Sequence, residues 1–192
     1  MTKFLEIEQV HFYEINSVLP LTPNTTPLTS PFPITITTGE TINLALINVP
    51  VGSEPDGILL NAIVNWSATF TPTTASTTIN TPGYADATFE LLRNGILITR
   101  ITQTAAQKGI PLNSSLDFST PIPTYEIASI MFFDTKAISC KTNIYTLRIT
   151  NISLVAPLVA SGTATTSAQI GAICLIGQRV NAHRNLTPVA TT

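Results

Sequence analysis

The chain has 192 residues, 44% of them apolar and only 10% charged, enough apolar material for one well-filled core. Its net charge of −2 supplies no basic field, which excludes nucleic acid as a natural partner. No run of about 18 apolar residues occurs, so no helix of this sequence is expected to span a membrane. Threonine, one residue in six, is β-branched; it suits strands and lets an exposed sheet face hydrogen-bond without charge.

In chain order, residues 1–17 are expected to form an N-terminal arm. Phe4, Leu5, Ile7, Val10, Phe12, Tyr13 and Ile15 stand among Lys3, Glu6, Glu8 and Glu14. The arm favours an extended strand over a helix, and so short a peptide cannot cover its own apolar side chains. These seven residues are therefore expected to contact another copy of the chain, with self-docking as an edge strand the alternative. The acidic start lacks the apolar stretch of a secretory signal, so either the chain is a mature form or an external position is reached by assembly and cell lysis, the second being favoured by Met1. Residues 18–33 hold Pro20, Pro23, Pro27, Pro31 and Pro33, each fixing its own φ and extending the residue before it. They read as a semi-rigid spacer reaching about 45–50 Å.

Residues 34–180 read as one all-β domain. Strands are expected at Ile34–Thr38 and Thr41–Asn48, the second burying Ile42, Leu44 and Leu46 or their alternates. Gly57–Phe70 gives the clearest pattern. Ile58, Leu60, Ala62, Val64, Trp66, Ala68 and Phe70 alternate strictly with Leu59, Asn61, Ile63, Asn65, Ser67 and Thr69, which describes a long strand with one buried face. A Thr-rich loop is expected at 71–83. Ala85–Leu92 and Ile96–Gln103 flank Asn94-Gly95, a strong hairpin signal that would set Leu91 against Ile98 and Arg93 against Ile96. Further strands follow at Leu112–Thr120, Tyr125–Asp134, Asn143–Leu154 and Ser167–Val180, and residues 181–192 read as a tail. Eight to ten strands at this spacing describe an antiparallel sandwich or barrel.

The last strand is apolar on both of its alternating sets, with Gly171 and Gly177 among them. Its Ile173 and Leu175 are expected to face another subunit, the alternative being a central strand covered by a loop. Cys140 and Cys174 could form a disulfide or stay as buried thiols, and spacing does not choose between them.

Chemistry is sparse. His11 and His183 lie at opposite ends of the chain, no cluster has metal-ligand spacing, and no nucleophile-base pair presents itself. Asp86 and Glu90 share one strand's solvent face, and Asp117 and Asp134 stand at strand ends. No catalytic residue, metal or cofactor is expected, and Trp66 reads as core.

Five stretches together resemble the jelly-roll domains of bacterial spore-surface proteins, the exosporium proteins with a C1q/TNF-like fold. They are LLNAIVNWSATF (59–70), ATFELLRNG (87–95), FFDT (132–135), YTLRITN (145–151) and AQIGAICLIGQRV (168–180). The resemblance implies an antiparallel jelly-roll β-sandwich and a homotrimer around a three-fold axis. No Gly-X-Y stretch is present. The layout of residues 1–33 is similar to subunits of endospore appendage fibres, in which an N-terminal connector enters the neighbouring subunit. The expectation is a structural subunit of a spore-surface fibre or layer, in contact with itself and with other spore-surface proteins. Two alternatives stand beside it. One is a carbohydrate- or receptor-binding fibre tip using loops 71–83 and 104–111 near Tyr84. The other is a viral or phage capsid jelly roll, for which a basic arm is missing.

Overall fold

A computed structural model describes residues 4–15, 33–51, 57–73, 77–108, 118, 120–137 and 141–183, with backbone pairing alone for 4–15 and 181–183. The described residues form eleven strands and no helix: β1 (Phe4–Ile15), β2 (Ile34–Ile36), β3 (Ile42–Pro50), β4 (Gly57–Pro72), β5 (Ile79–Thr81), β6 (Tyr84–Arg93), β7 (Ile96–Ala106), β8 (Ile122–Asp134), β9 (Thr142–Val155), β10 (Leu158–Val159) and β11 (Ala164–His183). One sheet runs β1-β11-β4-β8, with β2 on the same edge of β11; the other runs β3-β9-β6-β7. All pairings are antiparallel. Setting aside β1 and the small β5/β10 ribbon, the first, last, third and sixth strands make one sheet. The second, seventh, fourth and fifth make the other. That is the double Greek key of a jelly-roll β-sandwich.

The core lies between the sheets. The seven alternating residues from Ile58 to Phe70 are all buried, as their period requires, facing Phe89, Leu91, Tyr145, Leu147 and Ile149 of the second sheet. Trp66 packs its ring edge-on to Phe89 at 6.0 Å and donates its indole N–H to Gln103 Oε1 at 3.1 Å. Each large side chain so buried contributes about 1.5–3 kcal/mol. Asn94 and Gly95 take φ of 49° and 81°, the paired left-handed conformations that a two-residue hairpin demands.

Bulges correct two expectations. One between Leu91 and Leu92 keeps Arg93 opposite Ile96 but moves Leu91 opposite Thr99 rather than Ile98. Another changes the reading of the last strand. On β4, Trp66 and Val64 are two residues apart, whereas their partners Ile170 and Ile173 on β11 are three apart. The extra residue reverses the alternation, so Ile170, Ile173 and Leu175 all point inward. Ile173 (2% exposed) and Leu175 (0%) are therefore core residues and not subunit contacts. Gly177 also faces inward: a Cβ there would stand 2.7 Å from Ile47 Cδ1 and 2.9 Å from Val49 Cγ2. The glycine lets β11 approach the opposite sheet of its own domain.

Other boundaries shift. The expected loop 71–83 contains β5, and β11 runs into the expected tail as far as His183. The expected strand Leu112–Thr120 lies outside the described residues apart from Phe118 and Thr120; Phe118 is buried, and its N–H donates to Thr77 O at 3.0 Å.

Candidate functional site

The arm is not free of the domain. Phe4–Ile15 pairs with Ile173–His183 of the same chain. Phe4, Leu5, Ile7, Val10, Phe12, Tyr13 and Ile15 take His183, Ala182, Val180, Gln178, Ile176, Leu175 and Ile173 as register partners. The expectation of an arm separate from its own sandwich is corrected to an edge strand. An edge of β11 left open would expose a row of backbone donors and acceptors, and β1 satisfies them. His11 and His183 come to lie on neighbouring strands, but seven residues apart along β1, about 23 Å. Among the described residues no three His, Cys, Asp or Glu side chains gather as a metal site. Cys140 lies outside the described residues; Cys174 is half-buried on β11, opposite Ile63 of β4.

The two outer faces of the sandwich differ in chemistry. On the β3-β9-β6-β7 sheet, Arg148 Nε donates to Glu90 Oε2 at 2.7 Å, and the Thr88 and Thr102 hydroxyls meet at 2.9 Å. Glu90, expected on a solvent face, lies buried beneath that ion pair, while Thr104 donates to Asp86 at 2.5 Å. These are hydrogen-bonded rungs across the sheet, with Leu97 and Ile144 exposed beyond them.

The outer face of the other sheet is apolar along one half. β8 sends Thr124, Ala128, Ile130 and Asp134 inward; Tyr125, Ile127, Met131 and Phe133 project outward. Met131 is 76% exposed. Across the sheet, Phe133 pairs with Leu59, Met131 with Asn61, and Ile63 with Cys174. β8 thus carries apolar side chains on both faces, as does β11, whose Cys174 and Ile176 alternate with the buried Ile173 and Leu175. The signal was in the sequence: IASIMFF at 127–133 is apolar at odd and even positions alike.

Asp134 closes one end of the sandwich. Its carboxylate, 3% exposed, accepts Arg93 Nη1 at 2.7 and 2.9 Å, the Tyr145 hydroxyl at 2.9 Å and the Lys136 backbone N–H at 2.9 Å. Arg93 is on β6 and Tyr145 on β9, so this one carboxylate ties the sheets together. Burial, then the hydrogen bond to Asp134, push the Tyr145 hydroxyl far above its usual pKa. Asp134 stood out in sequence merely as a strand-end acid. Its inward parity on β8 was the clue to burial, but its partners lie 41 and 11 residues away.

The β7/β8 side of the sandwich is an open edge for both sheets. Its upper part is covered by side chains. Gln103 Nε2 donates to Ile127 O at 2.9 Å, Thr124 Oγ1 to Ala106 O at 3.1 Å, and Lys108 meets Glu126 at 2.6 Å. Such capping blunts an edge against further strand pairing.

Fold and faces together define an all-β jelly-roll sandwich. No family model matches the chain, nor does any curated protein. Among solved structures it is similar to the insecticidal delta-endotoxin Cry8Ea1 from Bacillus thuringiensis, at 15% identity over 76% of this chain and 19% of that one, TM-score 0.32. It is similar also to dimeric latent PorU from Porphyromonas gingivalis, at 12% identity over 98% and 15%, TM-score 0.30. A third is the infectious bursal disease virus Gx strain, at 15% identity over 92% and 40%, TM-score 0.31. The chain spans less than half the length of each.

Proposed function

We propose that the chain is a structural subunit that assembles with itself: jelly-roll domains pack into a homotrimer, and trimers join head to tail into a spore-surface fibre or layer. The observation that carries this reading is the apolar half-face of Ile63, Met131 and Phe133 on β4 and β8, set against a second sheet whose outer polar groups satisfy one another. Exposed apolar side chains that line up across neighbouring strands mark a contact surface. A second copy is the occupant because the resemblance in sequence to C1q/TNF-like domains supports packing of this apolar half of the sheet around a three-fold axis. The same resemblance supports the spore surface as the location and other spore-surface proteins as further neighbours.

The joint between trimers would be β1. Its last residue, Ile15, pairs with Ile173, and β2 begins at Ile34 opposite Ile170, about 10 Å away along β11. The 18 residues from 16 to 33 joining them are far longer than that gap requires. The same register on β11 can therefore be filled by β1 of another copy with no change in hydrogen bonding, the low-cost exchange of a domain swap. Repeated head to tail, the exchange propagates.

The test is size measurement and negative-stain microscopy of three proteins. The full chain should form trimers and polymers, the chain lacking residues 1–17 trimers alone, and that truncated chain carrying Ile63→Glu/Met131→Glu monomers. Fibres formed by the truncated chain would remove β1 as the joint. An unchanged mass for the double variant would remove the apolar half-face as the contact.

A further inference from the structure

The other half of this sheet face has a different chemistry, and we infer that it is a binding groove for a neutral glycan. A cavity of about 890 Å³ lies over β11, β4 and β8, beyond the apolar half-face. Its floor is made by Asn65, Ser67 and Thr69, the outward residues of β4, with Gln169 of β11 beside them. The register sets Gln169, Ser67 and Tyr125 side by side on three adjacent strands, about 4.8 Å apart. Tyr125, 75% exposed, stands with Ile127 and Pro33 as an apolar wall next to this amide and hydroxyl floor. Gly171, at the bulge, adds no side chain to the rim.

Two features decide the ligand class. First, the floor groups are unspent: no side-chain hydrogen bond to another described residue engages Asn65, Ser67, Thr69 or Gln169, in contrast to the paired threonines and ion pair on the opposite face. Second, Glu126 is the single charged residue among those lining the groove, and Lys108 holds it at 2.6 Å. With no cation in the lining, a phosphate, a nucleic acid or an acidic sugar has nothing to neutralise it. A lipid or apolar peptide would bury the amides and hydroxyls without partners. A neutral sugar satisfies both constraints, because its hydroxyls pair with the floor while a C–H face of the ring lies on Tyr125. The volume falls in the range of small-molecule sites. The inference does not rest on the assembly reading, since the groove lies within one chain.

The experiment titrates the full chain with cellotetraose, maltotetraose and chitotetraose, and with a hyaluronan tetrasaccharide as the acidic probe. Binding is followed by calorimetry and by the fluorescence of Trp66, the sole tryptophan, whose indole lies on the core side of the strand that makes the floor. At least one neutral probe should bind saturably and the acidic one should not. Tyr125→Ala should weaken binding about tenfold with an unchanged melting temperature, Gln169→Ala about fivefold, and Tyr84→Ala, outside the groove, not at all. No saturable neutral probe, equal binding of the acidic one, or full affinity in Tyr125→Ala would each overturn the inference. Mass measured on the same samples keeps this outcome separate from that of the assembly test.

Discussion

The two sheets of the sandwich share a core and part company at their outer faces. On β6, β7 and β9 three sets of outward polar groups find one another, Glu90 with Arg148, Thr88 with Thr102 and Asp86 with Thr104, beside exposed Leu97 and Ile144. On β4 and β8 they do not, and the outward residues are either apolar, as with Ile63 and Met131, or polar and unspent, as with Asn65 and Ser67. A face whose polar groups are mutually satisfied gains little from a partner, because every contact made there replaces one already present. The face left unsatisfied gains area or hydrogen bonds from whatever covers it. The contrast is the ground on which the assembly contact is proposed for this sheet and not for the other.

The comparison breaks most sharply if charge is placed on each face in turn. In the chain lacking residues 1–17, Ile63→Glu/Met131→Glu should abolish the trimer, while Arg100→Glu/Thr102→Glu on the other sheet should leave the assembled mass unchanged; light scattering after gel filtration reads both. A smaller, purely conformational effect comes from the link between the sheets. Arg93→Met leaves the buried Asp134 carboxylate without its cation and should lower unfolding stability by about 3–5 kcal/mol in denaturant titrations. Tyr145→Phe removes one donor to the same carboxylate and should cost about 1–2 kcal/mol at neutral pH.

Tyr145 also has a pH signature. In the unfolded chain it ionises near pH 10, whereas in the folded protein burial and Asp134 keep it protonated well above that. Its contribution is complete below about pH 10 and is lost as pH rises further, because the unfolded state then binds one proton fewer. Wild-type stability should fall above that pH with a component that Tyr145→Phe lacks. The smallest effect belongs to the hairpin: Gly95→Ala, at φ 81° with open space around it, should cost about 1 kcal/mol through the backbone alone.

How far sequence carried the fold can be seen strand by strand. β4 was legible along nearly its whole length because strict alternation over fourteen positions admits one geometry, and the Asn94-Gly95 turn was legible because its φ values demand those residues. Ile173 and Leu175 were misread for a single reason: alternation was carried unbroken through the bulge, whose extra residue has no compositional mark beyond a glycine. The apolar half-face was written in β8 but obscured, since both of its alternating sets are apolar and neither declares which is inward. The glycan groove could not be read at all. It depends on Gln169, Ser67 and Tyr125, far apart in sequence, being brought level by two pairings whose register no local pattern specifies.

The bulge in β11 has one more consequence. Deleting a residue from a central strand ordinarily turns everything beyond it inside out, exchanging core for solvent. Between Ile170 and Ile173 the strand already carries one residue more than its partner, so loss of Gly171 or Ala172 would restore one-to-one pairing and leave every other side chain on its present face. In the middle of its longest strand, the sandwich has a place where the chain can shorten by one without losing its frame.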